Sequence, residues 1–355
     1  MFPYLINIKS SNANFDAAID ELLKQISTIE NVVRVVFFAE IANNEVYSQR
    51  LAICKEKIGE KFLFCIIAQK PLSAGVSVEC EVAFLKTHQF DSLQQRKVEN
   101  VNYFVAKKDG QKSVFSTINS ENLSLSVQEQ SDNVFGRLLK ILEQESMPID
   151  SIVRQWNYIE HITDVDAGGQ RYQQFNDARS SFYAKADWFQ GYPAATGIGV
   201  GSGGVIVEVN AVQGAELKPI DNALQVPAHK YSDAVLKSGN EKKATSPKFE
   251  RAKLQDNKWL YISGTAAIRG EKNVDLSAAD MQTQITLENI NDLLQSADMT
   301  MANVVALRVY VKRSSDFFAV KQVVDKLLPN SMAIYSLSDV CRPELLVEIE
   351  GIAQK

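Results

Sequence analysis

Two stretches of the chain, LEQESMPIDSIVRQWNYI (residues 142–159) and LQSADMTMANVVALRVYV (residues 294–311), align without a gap. Their matches include Tyr158 with Tyr310 and Ile152 with Val304. In both, a helical pattern leads through a short polar turn into a strand rich in β-branched and aromatic residues. The stretch LLKQISTIENVVRVVFFAEI (residues 22–41) has the same order. A helix-to-strand unit therefore occurs three times, which indicates an internal repeat.

Each copy continues with a helical pattern and then a strand of alternating character. These closing strands are VSVECEVAF (residues 76–84), VIVEVNAV (residues 205–212) and LLVEIEGIA (residues 345–353). Alternation of this kind is typical of a half-buried sheet. Aligned on their Val-Glu pairs, the strands place Glu79, Glu208 and Glu348 at equivalent positions. The alternative is that helix and strand patterns recur here by chance.

The repeat predicts an α+β fold of three modules in one chain, which together form a pseudo-trimer. The predicted modules are residues 1–95, a degenerate copy, then residues 96–215 and residues 216–355. Residues 214–258, rich in Lys, Ser, Asn and Pro, are predicted to be a long and mostly exposed connection. Because three modules in one chain can close such a body without other copies, we expect a monomer.

Composition and charge exclude several classes of protein. With 355 residues, 45% hydrophobic and 23% charged, the chain has the composition of a globular protein. Its longest apolar stretches, residues 32–39 and 62–68, are far below the roughly 20 residues of a membrane helix, and the N-terminus lacks a secretory pattern. We therefore expect no membrane partner and a cytoplasmic location. A net charge of −5 without a basic block argues against nucleic acid.

The cysteines and histidines do not have the spacing of a metal site. They are Cys54, Cys65, Cys80, Cys341, His88, His161 and His229. Without a CxxC pair or clustered histidines, we expect no zinc, and no cofactor is indicated. The glycine-rich run GIGVGSGG (residues 197–204) lacks the GK[ST] ending of a phosphate loop and precedes a strand, which disfavours nucleotide binding.

The third module resembles the RidA/YjgF family in YISGTAAI (residues 261–268), VVALRVYVKRSSDF (residues 304–317) and VCRPELLVEIEGIA (residues 340–353). Members of that family are homotrimers with ligand pockets between subunits. The resemblance implies pockets between modules that use Gly264, Glu348 and the position of Lys321. The arginine with which RidA enzymes clamp a carboxylate falls at Tyr335, which cannot form a forked ion pair. A RidA-like imine deaminase is therefore the weaker alternative.

The whole chain resembles the chorismatases, which carry RidA-like modules. The resemblance lies in WNYI (residues 156–159), FNDARSSFY (residues 175–183), YPAATGIG (residues 192–199), SGTA (residues 263–266) and CRPELLVEIE (residues 341–350). It implies a cofactor-free enzyme whose partner is the small molecule chorismate, and which cleaves the enolpyruvyl ether to release pyruvate. A non-catalytic binder built on the same modules remains a third hypothesis, since fold does not determine function.

Cleavage of an enol ether begins with protonation of its terminal methylene carbon, so the site needs a protonated acid. Glu348 is the candidate, and Glu350, two residues on and on the same face, should raise its pKa. The resemblance implies that Cys341 directs the ring towards 3-hydroxybenzoate. A glycine that marks this branch is replaced by Ala266 or Ala267, so some 4-hydroxybenzoate, or hydrolysis to a dihydroxycyclohexadiene carboxylate, remains open.

Chorismate has two carboxylates, so cationic or forked donors are expected at two places. Arg179 is the main candidate, because it falls opposite Lys321 when the second and third modules are aligned through Phe175 and Phe317. The other candidates for contact with the substrate are Arg342, Arg308, Tyr158, Tyr335, Thr196, Gly264, Thr265 and Ala266.

Overall fold

The computed structural model describes residues 1–232, 245–274 and 277–355. Its strands are β1 (Tyr4–Ser10), β2 (Val32–Ala39), β3 (Leu63–Ile67), β4 (Val78–Phe84), β5 (Ser92–Val98), β6 (Val101–Lys108), β7 (Gln111–Asn119), β8 (Ile152–Glu160), β9 (Val165–Asp166), β10 (Gly169–Gln170), β11 (Ala194–Val200), β12 (Val205–Gln213), β13 (Leu217–Ile220), β14 (Ala252–Gln255), β15 (Trp259–Ala266), β16 (Ile268–Arg269), β17 (Lys272–Asn273), β18 (Val304–Val311), β19 (Met332–Leu337) and β20 (Val347–Gln354). Its α-helices are α1 (Phe15–Ile26), α2 (Asn44–Ile58), α3 (Val127–Gln144), α4 (Arg171–Tyr183), α5 (Ala279–Ser296) and α6 (Phe317–Leu327). None of these helices combines the length and the apolar character needed to cross a membrane.

Three larger sheets share one arrangement of strands. The first sheet has the order β1-β4-β2-β3, the second β11-β8-β12-β7-β6-β5, and the third β13-β14-β15-β20-β18-β19. In each, a central strand (β2, β8 or β18) has an antiparallel closing strand on one side. On its other side lies a parallel strand reached through a helix, as parallel pairing requires. The predicted mixed α+β fold is confirmed.

Helices α3 and α4 pack together over the second sheet, and this packing positions α4. Helix α3 begins after Ser126, whose hydroxyl accepts from the Glu129 backbone while the Glu129 carboxylate accepts from the Ser126 backbone. This reciprocal cap satisfies donors that a helix start leaves free. Phe135 of α3 stacks on Phe182 of α4 at 5.0 Å and lies 5.6 Å from Phe175. The residues between these two phenylalanines are thereby held against the sheet.

The pairing of the closing strands differs from the sequence alignment by two residues. Tyr310 lies opposite Glu348, whereas its equivalent Tyr158 lies opposite Ile206. Glu208 therefore corresponds to Glu350, and its predicted equivalence to Glu348 is wrong. A shift of two residues keeps every side chain on the same face of a strand, so the Val-Glu alternation alone could not determine the register.

The predicted connection contains two paired strands. Strands β13 and β14 add to the edge of the third sheet, and every residue of β14 is buried. Lys253 of β14 donates to the backbone oxygens of Gln190, Gly191 and Tyr192, which compensates its burial. The prediction of an exposed connection is wrong for β14, because its polar side chains find internal partners, whereas Lys218 and Pro219 of β13 are exposed. Residues 233–244 of that segment lie outside the described residues.

A cluster of buried charges joins the three sheets, and we call it the central cluster. It consists of three ion pairs that each link two sheets, Arg34–Glu208 (2.9 Å), Arg154–Glu350 (2.6 Å) and Arg308–Glu81 (2.7 Å). The indole of Trp156 lies under all three guanidinium groups, at 4.6–5.4 Å from its ring centre. Tyr158 donates to Glu208 at 2.9 Å and contacts Arg308.

Candidate active site

A cavity of about 330 Å³ lies between the second and third sheets. Helix α4 and strand β11 border it on one side, and strands β15 and β20 with residues 341–345 on the other. Tyr231 and Phe249, which precede and follow the undescribed residues 233–244, are among the residues that complete the wall. The site is therefore assembled from parts of the chain that are far apart in sequence.

Glu348 reaches this cavity from β20 as a carboxyl group without a partner. Its side chain is 5% exposed, and no described residue forms a hydrogen bond or ion pair with it. Burial, and after it the neighbouring charge of Glu350, raise the pKa of Glu348 to about 8, against the opposing effects of Arg154, Arg251 and Arg342. The group is thus mainly protonated at neutral pH, as a general acid must be.

Gly264 on β15 makes room for this carboxyl group. A Cβ atom at Gly264 would overlap Oε1 of Glu348 and would lie 2.9 Å from the Thr196 methyl carbon. Only glycine allows the two strands to hold Glu348 in this position, because any side chain would displace it. The Gly264 backbone N–H donates to Thr196 Oγ1 at 3.0 Å.

Cys341 lines the same cavity as an uncharged thiol. Burial and the nearby Glu348 raise the pKa of Cys341 to about 12. A thiol with this pKa is a poor nucleophile at neutral pH, since the thiolate is the reactive form. Cys341 therefore contributes shape and a weakly polar surface beside the acid.

Arg179 enters the cavity from α4 as a buried cation. It is 1% exposed, its Nη2 donates to Asn176 Oδ1 at 2.6 Å, and its guanidinium lies 5.4 Å from the centre of the Phe175 ring. Its Nε has no partner, and within the described ranges no carboxylate pairs with it. A guanidinium group that is buried without a carboxylate partner is suited to bind an anionic ligand.

Two further arginines of the cavity lie near Tyr231. Arg251, 3% exposed, donates to Val226 O and to the Tyr231 hydroxyl, each at 2.6 Å, while its Nε is unpartnered. Arg342 donates to the backbone oxygen of Glu271 and to a side chain, and its guanidinium lies 5.5 Å from the Tyr231 ring. Neither arginine pairs with a carboxylate of the residues that the structure describes.

Arg251 and Tyr172 are site residues that the sequence reasoning missed. Arg251 precedes β14 in the segment predicted to be exposed, and no local pattern marks it. Tyr172 is half-buried on α4 and lines the cavity. Its ring occupies the space beside Gly197, where a Cβ atom would lie 2.9 Å from Tyr172 Cε2. The glycine of the YPAATGIG motif was the signal that could have indicated such a close neighbour.

Six of the predicted site residues line the cavity, and six do not. The residues that line it are Glu348, Cys341, Arg179, Arg342, Gly264 and Ala266. Arg308 and Tyr158 belong to the central cluster instead, where carboxylates and each other engage their polar atoms. They are not free to hold a ligand. Their predicted contact with the substrate is not supported.

Lys321 and Tyr335 lie on the other side of the third sheet. Lys321 forms an exposed ion pair with Asp325 and lies 5.8 Å from the Tyr335 ring centre. Tyr335 packs edge-on against Phe317, and its backbone oxygen accepts from Leu72 N. Strand β19 contacts residues 70–72, which follow β3 of the first sheet. Helix α4 borders the cavity, and α6 does not.

Thr196 and Thr265 lie behind the cavity wall. Thr196 Oγ1 accepts from Arg154 Nη2 at 2.6 Å and from the Gly264 backbone. Thr265 is buried and donates to Ser263 O at 2.9 Å. Their hydroxyl groups serve internal contacts, so they were predicted in the right region but in the wrong orientation.

Comparison with known proteins relates this arrangement to characterised families. Residues 89–211 match the family described as chorismatase FkbO/Hyg5-like, N-terminal, and residues 241–355 match endoribonuclease L-PSP. A 3-hydroxybenzoate synthase of Streptomyces hygroscopicus is 29% identical over 227 residues, covering 59% of this chain and 65% of that protein. A chorismatase of Streptomyces rapamycinicus is 28% identical over 219 residues, covering 57% and 64%. The matched part is thus less than two thirds of the length of these relatives.

The fold agrees with a solved structure over nearly its full length. A chorismatase crystal structure superimposes with a TM-score of 0.73 and covers 99% of this chain and 98% of that one, at 19% sequence identity. At this identity the match establishes the fold.

Proposed function

We propose that the chain is a member of the chorismatase family and that it cleaves the enolpyruvyl ether of chorismate, releasing pyruvate and forming mainly 3-hydroxybenzoate. One observation carries the proposal. A carboxyl group with a pKa near 8, Glu348, faces a cavity into which three arginines without carboxylate partners also project. This combination supports protonation chemistry on a substrate with more than one negative charge.

The reaction requires one proton transfer to start. Glu348 donates its proton to the terminal methylene carbon, which becomes the methyl group of pyruvate, and positive charge develops at the neighbouring carbon. The ether bond to ring carbon 3 then breaks, and the hydroxyl oxygen on carbon 4 bonds to carbon 3 as it releases its proton. The bond from this oxygen to carbon 4 then opens as the oxygen is reprotonated, and carbon 3 loses its proton as the ring becomes aromatic. The atoms of chorismate divide between pyruvate and 3-hydroxybenzoate, so this route consumes no water. The hydrolytic alternative consumes one.

The arginines are proposed to bind the two carboxylates of the substrate at separate places. Arg179 lies on α4 beside Phe175, whereas Arg251 and Arg342 both lie over the ring of Tyr231. A dianion that bridges these positions would present its ether to Glu348. Gly264 and Ala266 line the cavity beside that carboxyl group.

The proposal is tested by incubating the purified protein with chorismate, without added metal or cofactor, and by separating the products by chromatography. Equal amounts of pyruvate and 3-hydroxybenzoate are expected. Pyruvate accompanied by a dihydroxycyclohexadiene carboxylate would retain the acid but overturn the branch. Absence of pyruvate, with hydrolysis of imines instead, would favour the RidA-like alternative. The position of Tyr335, which is buried and lies outside the cavity, argues against that alternative.

Cys341 is proposed to direct the ring chemistry, because it fills the cavity wall beside the acid. The Cys341→Ala variant should still release pyruvate, while part of the ring product shifts from 3-hydroxybenzoate to the dihydroxycyclohexadiene carboxylate as water enters the vacated space. Cys54→Ala, a buried cysteine of α2 outside the cavity, is the matched control. An unchanged product ratio in folded Cys341→Ala would remove Cys341 from this role.

Residues 1–95, 96–215 and 216–355 are proposed to be three RidA-like modules of a monomeric pseudo-trimer. The closed ring of ion pairs between the three sheets supports this arrangement, and β5, by its pairing with β6, belongs with the second module. Sedimentation at the 39.5 kDa of one chain is expected, whereas a stable trimer of whole chains would contradict it. The four unpaired cysteines fit the proposed cytoplasmic location.

A further inference from the structure

A chain of contacts runs from the central cluster to the wall of the cavity. Arg154 Nη2 donates to Glu350 Oε2 and to Thr196 Oγ1, both at 2.6 Å. Thr196 Oγ1 also accepts from the Gly264 backbone N–H at 3.0 Å. Gly264 in turn lies against Oε1 of Glu348, so closely that no side chain could fit between them.

The Arg154 guanidinium therefore contacts β20 directly at Glu350 and reaches β15 through Thr196 of β11. Glu350 lies on β20, two residues after Glu348 and on the same face. Gly264 lies on β15, the strand paired with β20 on that side. Arg154 is itself 1% exposed and lies over the Trp156 ring at 4.6 Å, so its position is well determined by packing.

We propose that Arg154 is a positioning residue for Glu348, which it holds through Thr196 of β11 and Gly264 of β15 on one side and through Glu350 of β20 on the other. Neither Arg154 nor Thr196 lines the cavity. Both therefore act on the acid and not on the substrate. The inference rests on the proposed function for its kinetic consequence but not for its geometry.

The same contacts determine when the acid is protonated. The Glu350 charge raises the pKa of Glu348, and Arg154 lowers it. The titratable and charged groups that act on Glu348 are Glu350 on its own strand, Arg154 on β8, Arg251 before β14, Arg342 and Cys341 before β20, and Tyr172 on α4. Removing the charge of Glu350 should therefore lower the pKa of Glu348.

The first test removes the hydrogen bonds at Thr196. Thr196→Val keeps the shape but loses Oγ1, so kcat should fall by about 10- to 100-fold, while KM stays within about twofold. Thr196→Ser, which keeps the oxygen, should restore most of kcat. Thr286→Val is the matched control, since Thr286 is buried on α5 and forms one hydrogen bond to the backbone. A kcat within twofold of wild type in Thr196→Val, or an equal loss in Thr286→Val, would overturn the proposal.

The second test uses Glu350→Gln, which keeps a hydrogen-bond acceptor for Arg154. The pH above which activity is lost should fall by about one unit. The carboxyl signal of Glu348 in infrared titration, identified by its loss in Glu348→Gln, should shift in the same direction. An unshifted signal would contradict the proposal. If the wild-type protein released no pyruvate from chorismate, the proposed function would fail, and the infrared titration would still decide this inference.

Discussion

The central cluster and the cavity both contain buried arginines and glutamates, but they differ in how the charges are paired. In the central cluster each of the three arginines contacts a carboxylate at 2.6–2.9 Å. In the cavity, Arg179, Arg251 and Arg342 have no carboxylate partner among the described residues, and Glu348 forms no ion pair with any of those residues. Arg154 connects the two regions, because it donates hydrogen bonds to Glu350 in the central cluster and to Thr196 behind the cavity wall.

This difference separates stabilising charges from functional ones. A buried charge carries a desolvation cost that a well-placed partner offsets, so a complete ion pair needs nothing further. A buried cation without a counter-charge is costly in the free protein, and a ligand carboxylate removes that cost. A buried carboxyl group without an ion-paired cation keeps its proton to a higher pH, because burial disfavours the charged form. From the pairing pattern we therefore expect the arginines without carboxylate partners to be those that bind the substrate.

The largest expected effect is at Glu348. Glu348→Gln keeps the shape of the side chain but cannot donate an acidic proton, so kcat for pyruvate release should fall by about 10²- to 10⁴-fold. Glu79→Gln is the matched control, because Glu79 is also a buried closing-strand carboxyl group with a raised pKa but lies outside the cavity. Activity of Glu348→Gln within a few-fold of wild type would mean that another group is the acid.

Breaking the central cluster should act on stability. Arg308→Met leaves Glu81 and Glu208 without this cation in a buried position, and the free energy of unfolding should fall by about 3–5 kcal/mol. Denaturant unfolding measures the change. Arg313→Met removes an exposed ion pair with Asp316 and should cost less than about 1 kcal/mol. Equal losses in both variants would show that the cluster is not a stabilising unit.

The corresponding change in the cavity should act on binding. Arg179→Ala removes a charged hydrogen-bond donor worth about 1.5–3 kcal/mol, so KM for chorismate should rise by roughly 10- to 150-fold with a smaller effect on kcat. Because Arg179 has no carboxylate partner, its loss should not lower the free energy of unfolding as the loss of Arg308 does. An unchanged KM would transfer the carboxylate contact to Arg251 and Arg342.

The sequence predicted those parts of the fold and site that depend on local pattern. The repeated helix and strand units predicted the α+β fold, and Glu348, Cys341, Arg179 and Arg342 lie together as expected. The register of Glu208 was not predictable, because alternation with a period of two is unchanged by a shift of two.

The remaining errors arise from contacts between distant segments. Lys321 was aligned with Arg179, yet α6 borders a different part of the molecule from α4, and no property of a helix alone reveals which neighbour it will meet. The sequence around Arg308 gives no sign of an ion-pair partner, because Glu81 is 227 residues away and only the fold brings the two side chains together. Arg251 reaches the cavity from a segment whose composition indicates an exposed loop.

The pH dependence of kcat/KM for pyruvate release tests the central claim most directly, that Glu348 is the acid. With a pKa of about 8, Glu348 is protonated and active at lower pH and loses its proton as the pH rises. The account predicts that kcat/KM is level towards neutral pH and falls about tenfold per pH unit well above pH 8. The residual activity of Glu348→Gln should not show this fall. A flat profile from pH 7 to about 10, or the same fall in Glu348→Gln, would contradict it.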